Sequence, residues 1–172
     1  WAIQSLFGRI NYDFRDRYLL EFNARYDGSS RFPAHNRYAL FPSASAGWII
    51  SGEDFFNVDY IEFLKLRGSW GALGNQNVGN YPYQQTLNLS MSYPLGRASE
   101  SLNPAAVAIH APNQNIRWET TYVTNFGVEF SGFNGILDLE AEYFIKNTKD
   151  ILYNISTSYV LGLTPSEVNA GA

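Results

Sequence analysis

Only two histidines occur in this sequence, His35 and His110, and neither has a carboxylate or a second imidazole at ligand spacing. A metal centre needs three or four converging donors, and acid–base chemistry needs a partner that orients the ring. Both histidines therefore read as loop-surface residues. Serines are plentiful, yet no Gly-x-Ser-x-Gly elbow occurs to raise one as a nucleophile. The glycine-rich run Gly71-Ala72-Leu73-Gly74 lacks the Lys-Ser/Thr that a phosphate-cradling loop requires. Glu129, Asp138, Glu140 and Glu142 could be imagined as paired acid–base carboxylates. Their alternation with apolar residues makes the simpler reading a set of neighbours on a water-facing strand surface. Tyr81, Tyr83 and Tyr93 form the other candidate group: exposed aromatics stack on sugar rings or substrate, and they equally pack a loop against its surroundings. No cofactor and no metal site are expected.

These residues must be positioned by strands. In Ile136–Lys146, Leu137, Leu139, Ala141, Tyr143 and Ile145 share one parity, while Asp138, Glu140, Glu142 and Lys146 share the other. Successive side chains of an extended chain point to opposite faces, so this is a strand with one greasy and one charged face. Its roughly 11 residues match the roughly 9–11 that cross a bilayer at a tilt. Asn134-Gly135 just before it is the dipeptide of tight hairpins.

The same period predicts strands at Leu6–Phe14, Leu20–Tyr26, Arg37–Ile50, Leu64–Trp70 and Tyr122–Ser131. Pro42 is expected near a strand end or bulge. Phe55–Ile61 is read as one short helical turn or a 3₁₀ connection. Between Ala72 and Arg117 the alternation is read as lost, giving one long loop. Asn154–Ala172 is read as an aperiodic tail in which Thr164-Pro165-Ser166-Glu167 could start a helix. Connections then alternate short and long, as in a barrel with turns on one side and loops on the other.

With 172 residues the chain can build one domain. A net charge of −4 gives no basic footprint, which argues against a nucleic-acid partner. No run of about 18 apolar residues exists for a membrane helix, and the absence of cysteine excludes a disulfide framework. Aromatic residues make up 16% of the chain, which suits strands ending at a membrane interface; Trp48, Trp70 and Trp118 are read as such interface residues. Alternation alone fits a soluble antiparallel sheet equally well. A secreted or surface β-sandwich that binds carbohydrate is thus the alternative, while strand length and loop asymmetry favour an antiparallel up-and-down transmembrane β-barrel segment.

Residues Arg25–Phe32, Asn36-Arg37-Tyr38 and Phe41–Trp48 resemble the barrel of the SusC/RagA group of TonB-dependent outer-membrane transporters of Bacteroidetes. So do Leu64–Gly71 with Gly74-Asn75-Gln76, Trp118-Glu119 with Asn125–Glu129, and Tyr143 with Lys146–Leu152. The resemblance implies an all-β fold and a place in the cell outer membrane. It also implies import of oligosaccharides or peptides, powered through TonB and assisted by a SusD-like lipoprotein lid, with no catalysis. It further implies that residues 1–172 are part of a larger barrel, about six strands of about 22, the plug and remaining strands lying outside this sequence. Outer-membrane lipid would then cover one strand face, and Glu129, Asp138, Glu140 and Glu142 would face the lumen.

Overall fold

The computed structural model describes residues 1–94, 102–156, 158, 160 and 162–171. Parts of the expected long loop (95–101) and tail (157, 159, 161 and 172) lie outside the described residues. Four long strands come first: β1 (Ile3–Phe14), β2 (Tyr18–Ser29), β3 (Tyr38–Ile49) and β4 (Ile61–Asn75). An insertion follows with β5 (Leu87–Pro94), β6 (Leu102–Ala108) and the two-residue β7 (His110–Ala111). Two further long strands, β8 (Glu119–Gly132) and β9 (Leu137–Lys149), precede the short β10 (Leu152–Tyr153), β11 (Thr164–Pro165) and β12 (Val168–Asn169).

The six long strands form one antiparallel sheet in the order β1-β2-β3-β4-β8-β9, so each pairs only with its neighbour along the meander. They run 12 to 15 residues, more than the roughly 9–11 that span a bilayer. Three connections, at 15–17, 50–60 and 133–136, leave one end of the sheet. The loop 30–37, the 76–118 insertion and the tail leave the other. The first turn is tight because Arg15 and Asp16 both take positive φ, with Arg17 N–H donating to the Phe14 carbonyl at 3.2 Å. At the last, Phe133, Asn134 and Gly135 are all left-handed, so the expected Asn-Gly turn includes the residue before it.

Several expectations need correction. The six long strands make a single meander of the kind a barrel wall requires, not the two packed sheets of the sandwich alternative, among the described residues. The short helical element is a 3₁₀ turn at Ile50–Gly52, before Phe55–Ile61 rather than within it. The insertion is no plain loop: β5 and β6 form an antiparallel hairpin. Its signal was present, since Leu87, Leu89, Met91 and Tyr93 alternate with Asn88, Ser90 and Ser92. Thr164 starts no helix, because its N–H donates to the Ile109 carbonyl at 2.8 Å, where β11 runs parallel to β7. Pro42 lies inside β3, but the β3–β4 ladder begins one residue later at Ser43–Gly71. That side of Pro42 has no ladder to interrupt.

Because neither face of the sheet is covered, the accessible surface is 12257 Å². A folded soluble monomer of this mass would expose about 8,500 Å². The excess is apolar to a large degree, as the faces make plain.

Candidate functional site

Register decides which side chains share a face. Tyr12, Leu20, Ala46, Gly68, Phe126 and Tyr143 form one continuous row across all six strands, and Ile10, Phe22, Ala44, Trp70, Thr124 and Ile145 form the next. One face is therefore apolar from edge to edge. It is also open: Ile10 is 69% exposed, Phe126 58% and Tyr143 66%.

Aromatics concentrate at both margins of this face. At the turn end Tyr12, Phe14, Tyr18 and Trp48 follow one another with ring centroids 6.5, 6.3 and 6.4 Å apart. At the loop end Tyr26 stacks on Tyr38 at 5.3 Å and Trp70 on Tyr122 at 6.2 Å. Lys149 lays its ammonium 5.6 Å from the Tyr122 ring centre. Eight residues of β2 separate Tyr18 from Tyr26, about 27 Å along a strand. At a tilt of about 40° that is about 20 Å of height, close to the apolar band of outer-membrane barrels at about 25 Å. Trp48 and Trp70 thus stand in the two belts. Trp118 does not: it is 7% exposed, sandwiched by Phe32 and Phe41.

The other parity is hollowed and mainly polar, with Phe7, Leu73 and Phe144 as its exposed apolar exceptions. One hollow of about 540 Å³ is bordered by Asn11, Glu21, Lys65, Arg67 and Asn125. A second of about 1320 Å³, nearer the loop end, is bordered by Arg9, Asn23, Arg25, Ser43 and Trp118. All four candidate carboxylates belong to this face, because Ser131 pairs with Asp138, Glu129 with Glu140, and Gly127 with Glu142.

Like charges directly opposite each other repel, and here two cations from β4 offset them. Lys65 Nζ donates to Glu129 at 3.3 Å, and Arg67 Nε lies 3.6 Å from the same carboxylate. Arg67 then reaches across β8 to hydrogen-bond Glu140 and to lie 3.6 Å from Glu142. Gly127 makes that crossing possible: a Cβ there would lie 2.5 Å from Arg67 Nε. The partners are these two β4 cations rather than Lys146 or Lys149 of β9. Lys149 belongs to the apolar parity, opposite Thr120. Three of the four carboxylates, Glu129, Glu140 and Glu142, are thus held by cations.

At the turn end one carboxylate ties the aromatic belt to a connector. Glu53 accepts hydrogen bonds from Tyr18 Oη at 2.6 Å, Trp48 Nε1 at 3.0 Å and Arg17 Nη1 at 3.1 Å. The Tyr18 hydroxyl first, then the Trp48 indole, hold the Glu53 carboxyl below the usual range, with Arg17 adding to them against the opposing effect of burial.

The loop end holds the protein's buried core. Phe32, Phe41, Ala72, Val78, Ile116 and Trp118 pack together, with Phe32 and Ile116 fully buried. Trp118 Nε1 donates to the Arg37 carbonyl at 3.0 Å, and Asn36 Nδ2 donates to the Ile116 carbonyl at 3.1 Å. The candidate tyrosines divide. Tyr83 packs against this core, Tyr81 meets it edge-on with ring centroids 6.3 Å apart, and Tyr93 stands exposed on β5. His35 is exposed, His110 Nδ1 lies 2.6 Å from Thr164 Oγ1, and no group of three metal-ligating side chains occurs among the described residues.

Comparison with known proteins gives consistent matches. The family model described as TonB dependent receptor-like, beta-barrel, matches residues 1–172. The TonB-dependent receptor SusC of Bacteroides thetaiotaomicron is 38% identical over 160 residues, covering 90% of this chain and 16% of that protein. The TonB-dependent receptor P26 of Formosa agariphila is 37% identical over 177 residues, covering 100% of this chain and 17% of that protein. Among solved structures, the RagAB peptide importer in its closed-closed state superposes with a TM-score of 0.82 at 28% identity, over 97% of this chain and 18% of that one. Its open-open state gives 0.81 over 98% of this chain and 18% of that one. The chain thus spans roughly a sixth of the length of the curated relatives it matches.

Proposed function

Because this chain belongs to the TonB-dependent receptor-like β-barrel family, an outer-membrane family of SusC/RagA type, we propose that it supplies part of the wall of a nutrient importer. Residues 1–172 are, in this reading, one stretch of a larger barrel domain. The relatives it matches are receptors and importers rather than enzymes, and we assign this wall no catalysis.

The single observation that carries the reading is the edge-to-edge apolar face between two aromatic belts. In water such a surface would be covered by a second layer or would aggregate. Hydrocarbon covers it without further structure, and the belts fall where ring and hydroxyl meet the headgroups. The hollowed polar face then lines the lumen, with Glu129, Asp138, Glu140 and Glu142 wetting its wall. At the outer mouth, Tyr81 and Tyr93 are the loop aromatics assigned to substrate, with Tyr83 packed against the core beside Tyr81. The substrate is an oligosaccharide or a peptide, delivered under a SusD-like lipoprotein lid, and TonB engages the longer protein outside this stretch.

Fractionation and gel mobility of the full-length gene product test the reading. It should pellet with outer membranes and run faster unheated than boiled. Recovery as a freely soluble protein would overturn the proposal.

A further inference from the structure

The connector between β3 and β4, residues 50–60, is held on the apolar side of the sheet at two points. The first is Glu53, whose carboxylate takes hydrogen bonds from Tyr18 and Trp48 of the turn-end belt. The second is backbone: the Tyr60 carbonyl accepts the Phe133 N–H at 3.0 Å and passes over Gly132. Gly132 continues the parity of Phe126 and Phe130 along β8 and stands opposite Leu137, so a side chain there would point to the apolar face. A Cβ at that position would lie 2.5 Å from the Tyr60 oxygen and 2.9 Å from the Phe130 ring. Glycine therefore lets the connector cross on that side.

Between the two holds the chain makes two turns. The Glu53 carbonyl accepts Phe56 N–H at 3.0 Å and the Val58 carbonyl accepts Ile61 N–H at 3.1 Å, which puts Asp54-Phe55 and Asp59-Tyr60 at the corners. Each corner joins a carboxylate to an aromatic ring, and both rings are bare, Phe55 being 71% exposed and Tyr60 69%. Val58 between them is exposed as well. Apolar side chains gathered bare beside an apolar face mark a surface that something covers. The charges nearest the belt are matched within the protein, since Arg17 lies 3.1 Å from Glu53 and 2.9 Å from Asp54.

We propose that residues 50–60 form a membrane foot, with Phe55, Val58 and Tyr60 resting in the headgroup–acyl boundary of the leaflet at the turn end. The occupant of this surface is glycerophospholipid. Continuity carries the choice: Glu53 bonds the connector to two side chains of the belt, and the Tyr60 backbone lies over the apolar parity of β8. Rings set beside polar groups suit that boundary, where one end is apolar and the other wet. The foot extends the belt past the strand ends and fixes the depth of this part of the wall. It rests on the importer reading, which puts lipid on the apolar face.

Depth-resolved fluorescence quenching tests it, on the full-length protein carrying one cysteine-linked NBD label and no other cysteine. The protein is placed in phosphatidylcholine vesicles whose acyl chains are brominated either near the headgroup or near the chain end. A label at Phe55→Cys should be quenched at least twice as strongly by the shallow bromines as by the deep ones. A label at Phe22→Cys, within the apolar face, should show the reverse order, and one at Ser69→Cys, on the hollowed side, should respond to neither. Glu53→Ala and Gly132→Val should each halve the quenching at residue 55 and leave residue 22 unchanged; if Gly132→Val also alters residue 22, Glu53→Ala decides. A label at residue 55 as unresponsive as that at residue 69, with residue 22 quenched, would overturn the foot, as would indifference of residue 55 to Glu53→Ala. No quenching at residue 22 would overturn the importer reading itself, and the foot with it.

Discussion

The sheet and the loop-end annex are stabilised by opposite means. The sheet has long ladders, shifted in register only at Ile61/Phe63, and of its own apolar side chains buries little beyond Phe41 and Ala72; its apolar rows face outward. The annex has two-residue ladders and irregular loops, yet it contains Phe32, Ile116 and Trp118, the protein's tightly packed core. One region takes its apolar environment from the medium, and the other builds its own. A substitution should therefore be read differently in each: by volume in the annex, by polarity on the apolar face of the sheet, and hardly at all on the hollowed one.

Phe32→Ala offers the largest test. Loss of a fully buried ring should cost about 3–5 kcal/mol, by equilibrium unfolding or local proteolysis of the intact protein in lipid. A cost under about 1 kcal/mol would mean that the annex has no rigid core. Leu139→Arg should cost about 2–4 kcal/mol if its face meets lipid near the midplane, against about zero for Ser69→Arg on the hollowed side. Equal effects would show that the two faces are not different solvents.

Gly127→Val should displace Arg67 from Glu140 and Glu142 and cost about 1 kcal/mol or less, the worth of partly exposed pairs. A larger loss would show that the ion network braces the wall. The finest test is acid titration of the Glu53 clasp. Its carboxyl is held below its ordinary value, so the stabilisation is complete above the unfolded value of about 4.3 and disappears as pH falls through the lower folded value. Heat-modifiability scanned from pH 7 to 3 should show a step in that lower range that Glu53→Gln abolishes.

Much of the sheet was legible because its period is two and its hairpin signals are local: the parity of Leu137–Lys146 and the turn at Asn134-Gly135 needed no distant information. The charge network was not, because matching Lys65 and Arg67 to Glu129 and Glu140 requires the β4–β8 and β8–β9 registers, which no local pattern supplies. Trp118 was misread as an interface residue for the same reason. What buries it is Phe32, 86 positions away and carried in by an aperiodic loop. The β5–β6 hairpin was a different kind of miss, since its alternation was visible but lay within a stretch dominated by Asn, Ser and Gly.

In this sheet β1 and β9 each have a strand neighbour on one side only. Twelve residues of β1 and thirteen of β9 thus carry ladder positions that the importer reading assigns to neighbouring strands of the longer protein. In that reading the meander is one arc of a continuous ladder, and backbone pairing runs through both of its borders.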